Sequence, residues 1–79
     1  MTVQWAPIAV ASARRYLHDQ AGMRAVVDAA AGLAEDPYPA DGFHRGRYHR
    51  LRVGAYRVLY VIEGDLITIE RVDQVATAE

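Results

Sequence analysis

Residues 48–72 read YHRLRVGAYRVLYVIEGDLITIERV, and this stretch decides the fold. Its segments 48–53, 56–63 and 66–72 are rich in Val, Ile, Leu and Tyr, residue types that favour β-strands. Gly54-Ala55 and Gly64-Asp65 separate the segments, and Gly at the first central position is typical of a type II′ hairpin turn. The stretch therefore predicts a meander of three antiparallel strands.

The chain before this stretch predicts a short strand and two helices. Val3 and Trp5 mark a β-prone segment at residues 2–5, and Pro7 suits the first position of a helix. Apolar residues recur at helical spacing over 8–20 and 23–34, with Gly22 as the break between the two helices. A loop that contains two prolines follows at residues 35–42.

The predicted element order is β-α-α-β-β-β, which makes residues 1–79 a single α+β domain. Two amphipathic helices joined by a short turn pack as a hairpin, and we expect this hairpin to cover one face of the sheet. The 52% share of hydrophobic residues supports one packed core. The chain has no Cys, which fits a reducing compartment.

The same sequence predicts a cytoplasmic protein without a membrane segment. No apolar run approaches the roughly 18 residues that a membrane span needs. The first residues lack the basic and apolar regions of a signal peptide.

The net charge of −1 conceals a strong asymmetry along the chain. Residues 43–57, FHRGRYHRLRVGAYR, contain five arginines and no acid, so their formal charge is +5. The rest of the chain contains four arginines and ten acids, which gives −6. A local positive field on a nearly neutral molecule favours an anionic partner.

A two-residue turn at Gly54-Ala55 fixes the register and therefore the faces of the predicted sheet. It pairs Val53 with Tyr56 and Arg52 with Arg57, and paired residues share a face. The face predicted to carry the helices contains Leu51, Val53, Tyr56, Val58, Tyr60, Ile62, Ile67 and Ile69. The opposite, open face contains Tyr48, Arg50, Arg52, Arg57, Leu59, Val61, Thr68, Glu70 and Val72.

Three arginines and a tyrosine therefore converge on the predicted open face. Like charges directly across a strand pair are destabilising, so Arg52 opposite Arg57 favours an anion that bridges the two. The alternative is a solvated face on which Glu70, its only carboxylate, neutralises part of the charge. A slip of one residue in the turn would exchange the two faces.

The phrase LRVGAYRVLYVIEGDLITI resembles the central hairpin of the RelE/ParE superfamily of bacterial toxins. The element order, the N-terminal Val3-Gln4-Trp5 strand and the Ala34-Glu35-Asp36-Pro37 end of the second helix are similar too. The resemblance covers almost the whole chain. It implies the toxin of a type II toxin–antitoxin system, held inactive by a cognate antitoxin protein.

The resemblance leaves three activities open. A RelE-like member would be a ribosome-dependent mRNA endonuclease, in which the 2′-hydroxyl attacks the adjacent phosphate without a metal. A ParE-like member would instead inhibit DNA gyrase. The third alternative is a catalytically inactive module that binds the antitoxin. No metal-ligand spacing or Gly-rich phosphate loop occurs, so no metal and no cofactor is predicted.

Under the RelE-like alternative, Arg57, Arg50 and Glu70 are the candidate catalytic residues. The resemblance places its phosphate-binding arginine at Arg57 and a further basic position at Arg50. Glu70 is a candidate general base, with a salt bridge to an arginine as its alternative role. The predicted RNA- or phosphate-binding residues are Arg45, Arg47, Tyr48 and Arg52. Of these, Tyr48 stands where the family has a second basic residue, and it is a candidate for stacking on a base.

The remaining candidates lie outside this cluster. The register places His49 on the helix-covered side, which predicts a structural role, whereas His44 belongs to the arginine-rich segment. Active RelE-like toxins continue past the last strand with a basic element and a tyrosine. The corresponding basic position falls on Val75, and no tyrosine follows in this sequence, which implies weakened catalysis.

Overall fold

The three predicted strands form the centre of a five-stranded sheet in the computed structural model, which describes residues 1–75. The strands are β1 (Thr2–Trp5), β2 (Gly42–Arg45), β3 (Tyr48–Val53), β4 (Tyr56–Glu63) and β5 (Leu66–Gln74). Their order across the sheet is β1-β5-β4-β3-β2, with β1 parallel to β5 and all other pairs antiparallel. The predicted α+β class is confirmed.

A glycine at the first turn position fixes each of the three hairpins. Gly46, Gly54 and Gly64 have φ angles of 62°, 59° and 60°, and no non-glycine residue described has a positive φ. That combination is the one a type II′ turn requires. The predicted register at Gly54-Ala55 is confirmed, because Val53 pairs with Tyr56 and Arg52 with Arg57.

Strand β2 was absent from the predicted order. It forms because Gly46-Arg47 makes a third two-residue turn, which returns the chain so that Arg45 pairs with Tyr48. The strand is only four residues long and lies at the edge of the sheet. It brings the N-terminal part of the arginine-rich segment alongside β3.

The two helices differ from their predicted bounds. Helix α1 (Pro7–Arg14) ends before a turn at residues 15–18, and α2 (Gln20–Gly32) begins at Gln20. Gly22 therefore lies in the first turn of α2 and is not the break between the helices. The Asp19 side chain caps this helix by accepting a hydrogen bond from the Gly22 N–H at 3.0 Å.

The helices cover the predicted face of the sheet. Helix α1 packs on β5, and α2 packs on β3 and β4. The core between these layers consists of Ala9, Met23, Val26, Ala30, Leu33, Leu51, Tyr56, Val58, Tyr60, Ile67, Ile69 and Val72. None of the helices in the described part of the chain is long and apolar enough to cross a membrane.

One β-bulge changes the predicted faces of β5. Leu59 pairs with Arg71 and Tyr60 with Ile69, so Glu70 is an extra residue between them. The extra residue shifts the alternation of faces for everything that follows it. Val72, predicted on the open face, is instead fully buried in the core, and that prediction was wrong.

The Ser12 hydroxyl connects α1 to the strand just after this bulge. It donates a hydrogen bond to the Ala9 carbonyl at 2.8 Å and accepts one from the Val72 N–H at 2.9 Å. Both bonds are buried, and a buried N–H without a partner would be costly. The hydroxyl therefore fixes the position of α1 over the end of the sheet.

Candidate anion-binding site

The open face of the sheet carries the arginines that the register predicts there. Arg52 and Arg57 lie directly opposite each other across β3 and β4, and Arg50 lies opposite Leu59. Tyr48 shares this face at the other end of β3, opposite Val61. Successive residues on one face of a strand are about 7 Å apart, so Tyr48, Arg50 and Arg52 form a row along β3.

Strand β2 adds residues that the sequence analysis did not place. Phe43 lies opposite Arg50, and Arg45 lies opposite Tyr48, so both extend the open face. The Arg50 guanidinium lies 4.8 Å from the centroid of the Phe43 ring, which is a cation–π distance. Phe43 was missed as a site residue, and the Gly46-Arg47 turn was the signal that could have found it.

Most of the arginines on this face have no acidic partner among the residues that the structure describes. Within residues 1–75 the two ion pairs are Arg47 with Glu63, at 3.5 Å, and Arg71 with Asp73, at 2.9 Å. Four guanidinium groups on the open face are left unpaired there, those of Arg45, Arg50, Arg52 and Arg57. The Arg52 Nε donates a hydrogen bond to the Gly54 carbonyl at 2.7 Å, which holds its side chain along β3.

Two adjoining depressions lie between these side chains. The first has a volume of about 320 Å³ and is lined by Phe43, Arg45, Tyr48, Arg50 and Leu59. The second has a volume of about 170 Å³ and is lined by Asp41, Phe43, Arg50, Arg52 and Arg57. Because Phe43 and Arg50 line both, the two depressions form one continuous surface with a basic end and an aromatic end.

The carboxylate next to Arg57 is not Glu70. Asp73 is the cross-strand neighbour of Arg57 in the register of β4 and β5, although the two do not form an ion pair. Glu70 lies at the bulge, about 10 Å away along the strand. The prediction that Glu70 is the only carboxylate on this face was wrong, because the bulge brings Asp73 onto it. The Asp73 carboxylate accepts a hydrogen bond from the Arg71 Nε at 2.9 Å.

The sequence and the fold of this chain are similar to those of solved toxin structures. No family model matches the sequence, and comparison with curated proteins gives no significant match. Among solved structures, a chain of the RelBE2 toxin–antitoxin complex from Mycobacterium tuberculosis is 33% identical, with a TM-score of 0.70. That match covers 92% of this chain and 95% of the other. This chain belongs to the RelE/ParE superfamily of toxins.

More distant members of the RelE/ParE superfamily share the fold. A chain of the RelE–RelB complex from the archaeon Pyrococcus horikoshii has a TM-score of 0.79 at 22% identity, covering 96% of each chain. A chain of the chromosomal ParDE system from P. aeruginosa has a TM-score of 0.77 at 17% identity, covering 96% of this chain and 97% of that one. The predicted resemblance to this superfamily is confirmed.

The histidines of this RelE/ParE-superfamily chain lie on the other side of the sheet from the arginines. His49 is 9% exposed, and its ring is stacked on Tyr60 with centroids 5.1 Å apart. Its cross-strand partner His44 lies 5.2 Å away. Burial lowers the pKa of His49 below its usual value, and the proximity of His44 lowers it further. The predicted placement of His49 is confirmed.

Two positions that the sequence analysis of this superfamily member discussed, the predicted site residue Arg47 and the aligned position Val75, lie away from the group of Arg50, Arg52 and Arg57. Arg47 lies in the β2–β3 turn and pairs with Glu63, away from Arg57. The Val75 N–H donates to the Ala55 carbonyl at 2.7 Å, so its backbone lies against the β3–β4 turn. Residues 76–79 are outside the described residues. The described residues contain no cluster of three or more His, Cys, Asp or Glu side chains that would hold a metal.

Proposed function

We propose that this toxin is a ribosome-dependent mRNA endonuclease and that the open face of its sheet binds the scissile phosphate. The observation that carries the proposal is the group of four guanidiniums that have no acidic partner within residues 1–75, with Arg52 directly opposite Arg57. Arginines placed opposite each other repel unless an anion lies between them. A phosphate provides two oxygens that match the forked donors of guanidinium groups.

The proposed reaction is attack of a ribose 2′-hydroxyl on the adjacent phosphorus. The O2′–P bond forms, the P–O5′ bond breaks, and the products are a 2′,3′-cyclic phosphate and a 5′-hydroxyl. Negative charge grows on the non-bridging oxygens in the transition state, where Arg57 and Arg52 would stabilise it. Arginine remains protonated at neutral pH, so these residues supply charge and hydrogen bonds and do not act as a base.

Proton transfer requires a second kind of residue. The base would take the 2′-hydroxyl proton as the bond to phosphorus forms, and an acid or a water molecule would give a proton to the departing 5′-oxygen as its bond to phosphorus breaks. Asp73 is better placed for this role than Glu70, because it is the cross-strand neighbour of Arg57. Glu70 remains a candidate at a greater distance along β5.

The central test is the replacement of Arg57 by Gln. Wild type and Arg57→Gln would be expressed from an inducible promoter in a bacterial host, and mRNA 5′ ends would be mapped after induction. We expect cleavage to fall by about 100-fold, because removing one transition-state donor costs about that much in rate. Arg24→Gln is the matched control, since Arg24 is an exposed arginine on α2, and its cleavage should equal that of the wild type.

The other candidate activities give different results in this experiment. Growth arrest without mRNA cleavage would overturn the endonuclease proposal, and supercoiling by purified gyrase with the toxin present would then test the ParE-type alternative. The fold likeness to the ParDE chain is the observation that keeps that alternative in the test. A wild-type protein that neither arrests growth nor cleaves mRNA would be an inactive antitoxin-binding module.

We also infer that a cognate antitoxin binds the helical side of this toxin. The relatives described above were solved as toxin–antitoxin complexes or systems. An open groove of about 240 Å³ between α1 and α2 has an almost wholly apolar lining: Trp5, Val10, Ala13, Arg14, Leu17, Met23, Val26 and Val27. Leu17 is 59% exposed and Val27 is 53% exposed. An amphipathic helix docks in such a groove through its apolar residues.

Replacing Leu17 by Glu tests the proposed antitoxin surface. A charge in the groove would lie against the apolar face of the antitoxin helix, so the Kd should rise by about 30-fold. Gln20→Glu adds the same charge outside the groove and should leave the Kd unchanged. Calorimetric titration with the protein encoded by the neighbouring reading frame gives both values. Equal affinities for the two variants would contradict this assignment of the surface.

A further inference from the structure

The aromatic end of the open face has an arrangement that phosphate binding does not require. Phe43 and Arg45 on β2 lie opposite Arg50 and Tyr48 on β3, so aromatic rings and guanidiniums alternate in a square. Phe43 is 55% exposed and Tyr48 is 52% exposed. Large exposed rings on an edge hairpin contribute little to stability, which favours a role in binding.

The positions of Phe43 and Tyr48 around one depression leave space for a flat group between them. Phe43 and Tyr48 are diagonal neighbours across the strand pair, and such positions are about 7–8 Å apart. Stacked bases lie about 3.4 Å apart, so one base between two rings needs about twice that distance. Half-buried Leu59, on the neighbouring strand β4, lines the same depression and provides an apolar surface there.

The guanidiniums around the rings favour a nucleobase over an aliphatic group. The Arg50 guanidinium lies 4.8 Å from the Phe43 ring centroid, and the Arg47 guanidinium lies 5.6 Å from the Tyr48 ring centroid. These contacts hold the rings in place and present N–H donors beside them. The donors match acceptor atoms on base edges, whereas an aliphatic side chain would leave them unused.

The second depression, at the basic end of the open face, indicates the kind of molecule to which the base belongs. It shares Phe43 and Arg50 with the first depression, which lies between Phe43 and Tyr48, and it is also lined by Arg52 and Arg57. A ligand that fills both must join a flat apolar group to an anion at short range, as a nucleotide does. Resting on the function proposed above, we propose that the groove between Phe43 and Tyr48 binds one unpaired base of single-stranded RNA, with Phe43 as the stacking residue.

The test compares two probes that differ only in their bases. One is a fluorescent, non-cleavable 2′-O-methyl decanucleotide of alternating adenosine and cytidine, and the other is the same backbone without bases. Binding of purified full-length protein is followed by fluorescence anisotropy at low salt. Since one stacked base contributes about tenfold or more in affinity, wild type should bind the base-carrying probe about tenfold more tightly than the abasic one.

Variants separate stacking from charge. Phe43→Leu should abolish the preference for the base-carrying probe while its affinity for the abasic probe stays unchanged. Phe43→Trp keeps an aromatic plane and should retain the preference. Arg57→Gln should lower the affinity for both probes by the same factor, because both carry the same phosphates. Phe43 is half exposed on an edge strand, so neither substitution there disturbs the core.

The outcomes distinguish failure of this subsite from failure of the proposed function. If Phe43→Leu keeps the preference, the base subsite is overturned, and a loss of affinity in Arg57→Gln still supports the phosphate site. If wild type binds both probes equally, the subsite is overturned in the same way. If neither probe binds, the subsite is overturned and mRNA cleavage mapping alone decides the proposed function.

Discussion

At the scale of single residues, Asp19, Gly22 and Tyr56 make a contact that only glycine allows. The Asp19 carboxylate accepts hydrogen bonds from the Tyr56 hydroxyl at 2.7 Å and from the Gly22 N–H at 3.0 Å. The Tyr56 bond, together with the Gly22 bond, holds the pKa of Asp19 below its usual value, and the same carboxylate raises the pKa of Tyr56. A side chain at Gly22 would overlap the Asp19 carboxylate and lie 2.7 Å from the Tyr56 ring.

Gly22→Ala should therefore lower the free energy of unfolding, by about 1–3 kcal/mol, because the added methyl group overpacks this contact. Gly32→Ala is the matched control in the same helix, where an added Cβ meets nothing within 4 Å. It should raise the free energy of unfolding by about 0.4–1 kcal/mol, since Ala restricts the unfolded chain. Urea unfolding followed by circular dichroism measures both, and equal changes of the same sign would contradict the account.

At the scale of elements, a histidine on the helix-covered side of the β2–β3 hairpin makes the free energy of unfolding depend on pH. His49 is buried there against Tyr60 and His44, and its pKa lies below its usual value. The unfolded chain therefore takes up a proton at His49 before the folded protein does. The contribution of neutral His49 to stability is fully present above the pKa of about 6.5 in the unfolded chain. It decreases as the pH falls toward the lower pKa of His49 in the folded protein.

His49→Gln should remove this part of the pH dependence. Free energies of unfolding measured between pH 7.5 and pH 5 should decrease in wild type and remain flatter in the variant. The lowered pKa of Asp19 makes a separate contribution that is lost only as the pH falls below about 3.8, outside this range. A slope unchanged in His49→Gln would show that His49 is not its source.

The elements also show what the sequence could predict. Gly54 and Gly64 separate long apolar segments. The turns, the register and the placement of Arg52 opposite Arg57 could therefore be predicted from the sequence. Gly46 marks the same type of turn, but β2 is short and exposed, and its residues show no apolar alternation. Roles in chemistry were inferred from the resemblance, and they remain predictions.

The bulge shows the limit of strict alternation as a guide. Ile67 and Ile69 alternate with polar residues, but the next apolar residue, Val72, comes three positions later. Two consecutive polar residues at that point are consistent with one extra residue, yet the same pattern would also fit the end of a core-facing strand. The packing of Val72 in the core and its hydrogen bond to Ser12 decide between these arrangements. Such contacts between distant segments cannot be predicted from the local sequence pattern.

At the scale of the whole molecule, the two candidate binding surfaces lie on opposite sides of the sheet. The arginines and exposed rings occupy the open face, and the apolar groove lies between the helices on the covered side. The charge count together with the hairpin register predicted the arginines of the first surface, whereas Phe43 on β2 was missed. The second depends on how α1 and α2 pack, since residues that line it also occur in an ordinary core.

The pairing of β1 with β5 also sets the order in which this chain can fold. The Gln4 side chain donates a hydrogen bond to the Thr68 hydroxyl at 3.0 Å across 64 positions of sequence, and α1 packs on β5 as well. During synthesis, the first strand has no strand to pair with and the first helix has no β5 to pack on until residues 66–69 have left the ribosome. Closing so long a loop costs entropy before any contact offsets it, so docking of the N-terminal segment is expected to be a late step in folding.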